Sequence, residues 1–123
     1  MSLLKALVIP QAESKLISYF KAYTNKKFVI LTNSCRSALY VAYKSLGKNG
    51  TVVTSPLTCN VALDPIVATG NRILYTDIEK DKLTMISSDL NKLKDDDVIA
   101  IQAIHLGGFL CKMREIKRIA ASK

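Results

Sequence analysis

The sequence of 123 residues contains no tryptophan, one histidine and three cysteines. Cys35, Cys59 and Cys111 are odd in number, lie far apart and form no Cys-x-x-Cys pair, so neither a disulfide framework nor a metal site is predicted. No apolar run approaches the roughly 20 residues that are needed to span a bilayer. The apolar N-terminal segment is interrupted by Lys5 and lacks a small-residue cleavage pattern, which argues against a signal peptide. We therefore expect a cytoplasmic protein with reduced thiols and no membrane partner.

Acidic residues are scarce, with 10 Asp and Glu against 18 Lys and Arg and a formal net charge of +8. The basic residues are spread along the whole chain, and lysine outnumbers arginine. Proteins that bind nucleic acid specifically usually show clustered arginine, interleaved aromatic residues or a known motif. We interpret this pattern as a solvated basic surface and predict no nucleic-acid partner. The hydrophobic content of 49% is enough for the buried core of one ordinary domain.

Apolar runs alternate with helical periodicity along the chain. Strands are predicted at 28–31, 51–55, 72–76 and 98–104. Helices are predicted at 11–23, 35–46 and 60–69, with a short helix at 87–93 capped by Ser87 and a last helix that carries Met113. Repeated β-α units imply right-handed crossovers and a largely parallel sheet. The predicted fold class is therefore α/β, with a mainly parallel sheet between two layers of helices.

The turn at 32–39 is the most informative segment, because an apolar run leads into it and an amphipathic helix follows. The first N–H groups of a helix have no partner within the helix, and the helix dipole adds partial positive charge there. A phosphate or carboxylate above Cys35 and Arg36 would be held by these donors. Alternatively, Asn33 or Ser34 serves only to cap a packed helix. The local sequence leaves both interpretations open.

Four segments follow predicted strands at the carboxyl edge of the sheet, where ligands bind in such folds. They include Thr-Asn-Ser-Cys-Arg-Ser-Ala-Leu (32–39), Thr-Ser-Pro-Leu-Thr-Cys-Asn-Val-Ala (54–62), Tyr-Thr-Asp-Ile-Glu (75–79) and His-Leu-Gly-Gly (105–108). In order and spacing, this series resembles the DegT/DnrJ/EryC1/StrS family of sugar aminotransferases, which are pyridoxal-phosphate enzymes of fold type I. The resemblance implies that residues 1–123 correspond to the N-terminal part of an aspartate-aminotransferase-like large domain.

The resemblance also implies which residues bind the cofactor. Ser34, Cys35 and Arg36 occupy the turn that usually reads Ser-Gly-Thr in the family and holds the phosphate of pyridoxal 5'-phosphate. Cys59 occupies a position that is commonly aromatic and stacks on the pyridine ring, so its thiol forgoes roughly 0.5–1.5 kcal/mol of stacking and cofactor retention is weaker. His105 resembles the family's histidine at this turn, and we interpret it as a structural residue with a hydrogen-bonded ring.

No catalytic residue is assigned within the chain. The chemistry needs a Schiff-base lysine and an aspartate that keeps the pyridine nitrogen protonated. From the resemblance, we expect both downstream of Lys123, since no lysine present lies in a matching context. The implied function is the N-terminal fragment of an aminotransferase for nucleotide-linked keto sugars in surface polysaccharide or glycoside biosynthesis, inactive alone. The alternative is a non-catalytic anion-binding or assembly module derived from the same scaffold.

The implied partners are a nucleotide sugar, an amino donor such as glutamate and further copies of the chain in a homo-oligomer. The run at 28–31 would lack the strands that flank it in the family. An unpaired apolar edge is usually avoided by pairing again or by oligomerisation. We therefore expect this run either to join the other three strands in a rearranged sheet or to pair with another copy.

Overall fold

The computed structural model describes residues 11–93 and 97–122, which fall into two compact units, 11–33 and 34–122. The first unit contains helix α1 (Ala12–Thr24). The second unit contains, in chain order, α2 (Cys35–Lys44), β1 (Thr51–Thr54), α3 (Asn60–Ala68), β2 (Arg72–Tyr75), the 3₁₀ helix η1 (Ser87–Lys92), β3 (Val98–Gln102), the 3₁₀ helix η2 (Leu106–Gly108) and α4 (Met113–Ala121). No helix within these described ranges is both long enough and apolar enough to cross a membrane.

Helix α1 confirms the helix that the sequence predicts at 11–23. The ring of Tyr19 packs edge-on against Phe20 at 5.5 Å between centroids and lies parallel to that of Tyr23 at 6.0 Å. The helix begins after Gln11, which has a left-handed backbone with φ 71°. The sequence also carries a signal for the start of this helix, Pro10, which lies outside the described residues.

Residues 28–31 form no strand, so this prediction was wrong. The sheet has three strands in the order β2-β1-β3, all from the second unit, and the expected rearrangement that recruits 28–31 does not occur. Phe28 and Ile30 are 75% and 73% exposed. Apolar composition favours a strand only where a neighbouring backbone completes the hydrogen-bond ladder, and these residues have none in the described sheet. Pairing of 28–31 with another copy stays a prediction.

Strand β1 lies at the centre of the sheet and pairs in parallel with both neighbours. All four of its residues are buried, as expected for a strand that is covered on both faces. Its last residue, Thr54, lies opposite Tyr75 of β2 and Gln102 of β3. The α/β fold with a parallel sheet is therefore confirmed.

Two apolar clusters cover the two faces of the sheet. One cluster joins Tyr43 of α2 and Ile66 of α3 to Val52. The other packs η1 and α4 against Val53, and its buried members are Val53, Met85, Leu90, Cys111, Ile116 and Ile119. This arrangement gives the three layers that the β-α order predicts.

The short helix after β2 differs from the prediction in its cap. The helix η1 starts at Ser87, but its N-cap is Ile86 and no side chain caps it. The hydroxyl of Ser87 instead donates a 2.6 Å hydrogen bond to Oε2 of Glu115 on α4. Because Ser87 is only 2% exposed, its hydroxyl needs a partner inside the fold, and the adjacent helix supplies one.

Candidate functional site

The first turn of α2 shows the cap that the sequence predicts, and the anion site stays a prediction. Ser34 is the N-cap, with an extended backbone (φ −160°, ψ 158°), and its Oγ accepts a 3.1 Å hydrogen bond from the N–H of Ser37. Within residues 11–93 and 97–122, the N–H groups of Cys35 and Arg36 have no hydrogen-bond acceptor. Both residues are exposed. The cap therefore uses one donor of the turn and leaves two donors that an anion can reach.

Cys59 is the N-cap of α3, which begins just after the carboxyl end of β1. Its thiol forms no capping hydrogen bond and is exposed. Its carbonyl oxygen accepts a 2.9 Å hydrogen bond from the N–H of Ala62. The carboxyl edge of the sheet thus presents Cys59 to solvent.

An ion pair links the first turn of α2 to the middle of α3. Arg36 Nη2 lies 3.5 Å from Asp64 Oδ2, and the two side chains are 55% and 54% exposed. A pair this exposed contributes little to stability, about 0–1 kcal/mol. It shows, however, that the first turn of α2 lies beside the first half of α3, and therefore at the same carboxyl edge. The sequence placed Ser34, Cys35, Arg36 and Cys59 at this edge but gave no sign of Asp64, which is 28 positions from Arg36.

His105 accepts a 3.2 Å hydrogen bond at Nδ1 from the N–H of Cys111. The thiol of Cys111 donates to the carbonyl oxygen of Ile104 at 3.1 Å. Burial raises the pKa of this thiol, so it stays protonated and unreactive at neutral pH. These contacts agree with the interpretation of His105 as a structural residue.

A hydrogen-bonded group next to this edge was not predicted. The buried hydroxyl of Tyr43 on α2 donates to Oε1 of Gln102 at the end of β3. Burial raises the pKa of the Tyr43 phenol, which keeps it a hydrogen-bond donor. Tyr43 reads as one more apolar position of an amphipathic helix, and only the fold reveals its partner 59 positions away.

Comparison with known proteins identifies the family. The profile of the DegT/DnrJ/EryC1/StrS aminotransferase family matches residues 11–123. The chain belongs to this family. It is 31% identical over 103 residues to the spore coat polysaccharide biosynthesis protein SpsC of Bacillus subtilis, covering 82% of this chain and 26% of SpsC. It is also 31% identical over 105 residues to the UDP-4-amino-4,6-dideoxy-N-acetyl-beta-L-altrosamine transaminase of Campylobacter jejuni, covering 80% of this chain and 27% of that enzyme.

Among solved structures, NtdA of Bacillus subtilis with bound cofactor PMP superimposes with a TM-score of 0.83 at 22% identity, covering 89% of this chain and 26% of NtdA. This similarity confirms the aspartate-aminotransferase-like fold. The chain thus spans about a quarter of the length of the relatives it matches. The parent family uses pyridoxal phosphate.

The residues at the carboxyl edge fit the phosphate of this cofactor. The two N–H groups at the start of α2 belong to exposed residues and have no acceptor among the described residues, and a guanidinium lies on the same turn. Backbone donors and an arginine are the groups that proteins use for phosphate. In the described part of the chain, no cluster of three or more His, Cys, Asp or Glu residues is arranged to hold a metal ion.

Proposed function

We propose that this chain provides the cofactor-phosphate site of a pyridoxal-phosphate aminotransferase that acts on nucleotide-linked keto sugars in surface polysaccharide or glycoside biosynthesis. Two N–H groups at the start of α2, which have no acceptor among the described residues, carry the proposal. Membership of the family supports it, as do relatives named for spore coat polysaccharide synthesis and for transamination of a UDP-linked sugar. The amino donor in this proposal is an amino acid such as glutamate.

Each site residue has a distinct role in this proposal. The N–H groups of Cys35 and Arg36 donate to phosphate oxygens, and the dipole of α2 favours the negative charge. Ser34 keeps the turn open because its hydroxyl is bound to Ser37 within the cap. The guanidinium of Arg36 leaves Asp64 and adds a charge-assisted hydrogen bond to the phosphate. Cys59 lies beside the pyridine ring.

The bound cofactor supplies an electron sink for transfer of the amino group. This chain's contribution is binding and orientation, because none of its lysines lies in a context that matches the family's catalytic lysine. We therefore expect the chain alone to bind phosphate without transferring amino groups. The proposal includes a cytoplasmic location and a homo-oligomeric state for the whole enzyme.

The proposal is tested by removing one N–H donor without disturbing the helix. Cys35 is the first residue of α2, a position that suits proline, and the extended backbone of Ser34 is what a following proline requires. Cys35→Pro therefore deletes a donor while preserving the helix start. Cys35→Ala is the matched control, because it removes the thiol and keeps the N–H.

Inorganic phosphate is titrated into the chain while amide NMR shifts are followed. We expect the amide resonances of Cys35 and Arg36 to shift in the unmodified chain, and Cys35→Pro to weaken phosphate binding about tenfold, the loss of one hydrogen bond to a charged group. Cys35→Ala should bind as the unmodified chain does. Equal phosphate binding by the proline and alanine variants would refute the proposed site.

A further inference from the structure

Gln102 connects three elements at the carboxyl edge through one side chain and its own backbone. Its Oε1 accepts from the hydroxyl of Tyr43, and its Nε2 donates a 3.3 Å hydrogen bond to the carbonyl oxygen of Ala62. Its own carbonyl oxygen accepts a 3.0 Å hydrogen bond from Oγ1 of Thr54, which is fully buried. Strand β3 thus reaches both α2 and α3 from a fixed backbone position.

The hydrogen bond from Gln102 to Ala62 reaches the first turn of α3, which has fewer backbone hydrogen bonds than the start of a regular helix. Pro65 lies inside α3 and has no N–H, so the hydrogen bond that would join it to Val61 is missing. The first turn of the helix therefore has fewer bonds to the turns that follow. The hydrogen bond from Gln102 compensates for this missing bond. The N–H of Ala62 in turn donates a hydrogen bond to the carbonyl oxygen of Cys59.

Packing alone does not require a glutamine at this position. The cluster that Tyr43 of α2 and Ile66 of α3 form with Val52 is apolar, so an apolar pair in place of Tyr43 and Gln102 would suit these surroundings. Polar groups placed at such a position cost desolvation, and they fix orientation when all of them are satisfied. The pairing therefore favours a role in orientation.

We propose that Gln102 is a positioning residue: through Ala62 it holds the first turn of α3 and thereby fixes Cys59 beside the pyridine ring of the cofactor. This inference rests on the proposed function. It adds a residue that touches neither the phosphate nor the ring, on a strand whose sequence gives no sign of such a role.

The test separates positioning from stability by using a double variant. Gln102→Met alone leaves the Tyr43 hydroxyl buried without a partner and should destabilise the chain. Tyr43→Phe combined with Gln102→Met removes both partners, so stability should return close to that of the unmodified chain. The contact with Ala62 remains absent in the double variant. Tyr43→Phe alone is the matched control, because it keeps the amide of Gln102 for Ala62.

Two readouts are compared among these variants. The first is amide hydrogen exchange of Ala62, which needs no ligand. The second is the ratio of the affinities for pyridoxine 5'-phosphate, which has the ring but no aldehyde to react with lysines, and for inorganic phosphate. In the double variant we expect faster exchange of Ala62 and an affinity ratio about threefold lower, the size of a sulfur–ring contact, with phosphate affinity unchanged. In Tyr43→Phe, both readouts should match the unmodified chain.

An affinity ratio and an exchange rate in the double variant equal to those of the unmodified chain would overturn the role of Gln102. An unmodified chain that binds no phosphate would instead refute the proposed function. The exchange of Ala62 would still report whether Gln102 holds the first turn of α3.

Discussion

The buried hydroxyl of Thr76 predicts a substitution that stabilises the chain. Thr76 follows β2, is 5% exposed, and its Oγ1 has no hydrogen-bond partner among the residues that the structure describes. Its N–H donates to the carbonyl oxygen of Thr54 at 3.0 Å, which valine would preserve. Thr76→Val replaces the hydroxyl with a methyl of similar shape and the same β-branching. A buried unsatisfied polar group costs about 1–3 kcal/mol, so we expect the free energy of unfolding to rise by about 1 kcal/mol or more.

Thr69→Val is the matched control, with the opposite expected sign. Thr69 is 3% exposed, but its Oγ1 donates to the carbonyl oxygen of Pro65 at 2.7 Å and accepts from Nδ2 of Asn71 at 2.9 Å. Removing this hydroxyl leaves the buried amide of Asn71 with one partner fewer. We expect Thr69→Val to lower the free energy of unfolding by about 1–3 kcal/mol.

Urea unfolding followed by circular dichroism measures both substitutions. With a typical slope of about 1–3 kcal/mol per molar urea, Thr76→Val should raise the unfolding midpoint by roughly 0.3–1 M. The reasoning would be refuted if Thr76→Val lowered the midpoint as Thr69→Val does, since that would mean that the hydroxyl of Thr76 is satisfied in solution.

Two further predictions follow from the described contacts. At Gly50, a Cβ would lie 2.4 Å from the backbone oxygen of Asp97, so Gly50→Ala should destabilise the chain by about 1–3 kcal/mol in urea unfolding, and an unchanged midpoint would contradict this steric argument. The ammonium of Lys112 lies 2.6 Å from Glu79 Oε1, and this hydrogen bond lowers the pKa of Glu79. The stabilisation it gives is present above the unfolded glutamate pKa of about 4.3 and is lost as the pH falls through the folded value. Lys112→Met should therefore lose less stability between about pH 7 and pH 3 than the unmodified chain, and an equal loss would exclude this pair as a source of acid sensitivity.

The elements that the sequence predicts correctly are those whose signals are local. Strand β1 is a short β-branched run buried on both faces, and α2 ends shortly before Gly47, whose φ of 70° suits a residue without Cβ. Ser34 lies three positions before Ser37, whose N–H it caps. In each case the residues that determine the structure lie within a few positions of one another.

The failures share a different cause, which is dependence on a partner distant in the sequence. The run at 28–31 has the composition of a strand, but a strand forms only with a neighbour, and the described sheet offers it none. Ser87 has the chemistry of an N-cap, yet Glu115 offers its buried hydroxyl a better acceptor. Local propensity is overridden wherever a buried polar group or an edge must be satisfied from elsewhere.

The candidate site also depends on contacts between residues that are far apart in the sequence. The first half of α3 is joined to α2 by Arg36 and Asp64, and to β3 by Gln102 and Ala62. Pro65 removes a backbone hydrogen bond from the same stretch. The position of this stretch therefore depends more on its contacts with α2 and β3 than it would in a helix with all its backbone hydrogen bonds. The N–H groups at the start of α2 follow a cap between residues three positions apart, Ser34 and Ser37, whereas the contact that reaches the first turn of α3 joins Gln102 and Ala62, which are 40 positions apart. For this reason the sequence predicts the turn at 32–39 and the place of Cys59 at the carboxyl edge, while the contacts that Asp64 and Gln102 make become evident only in the folded chain.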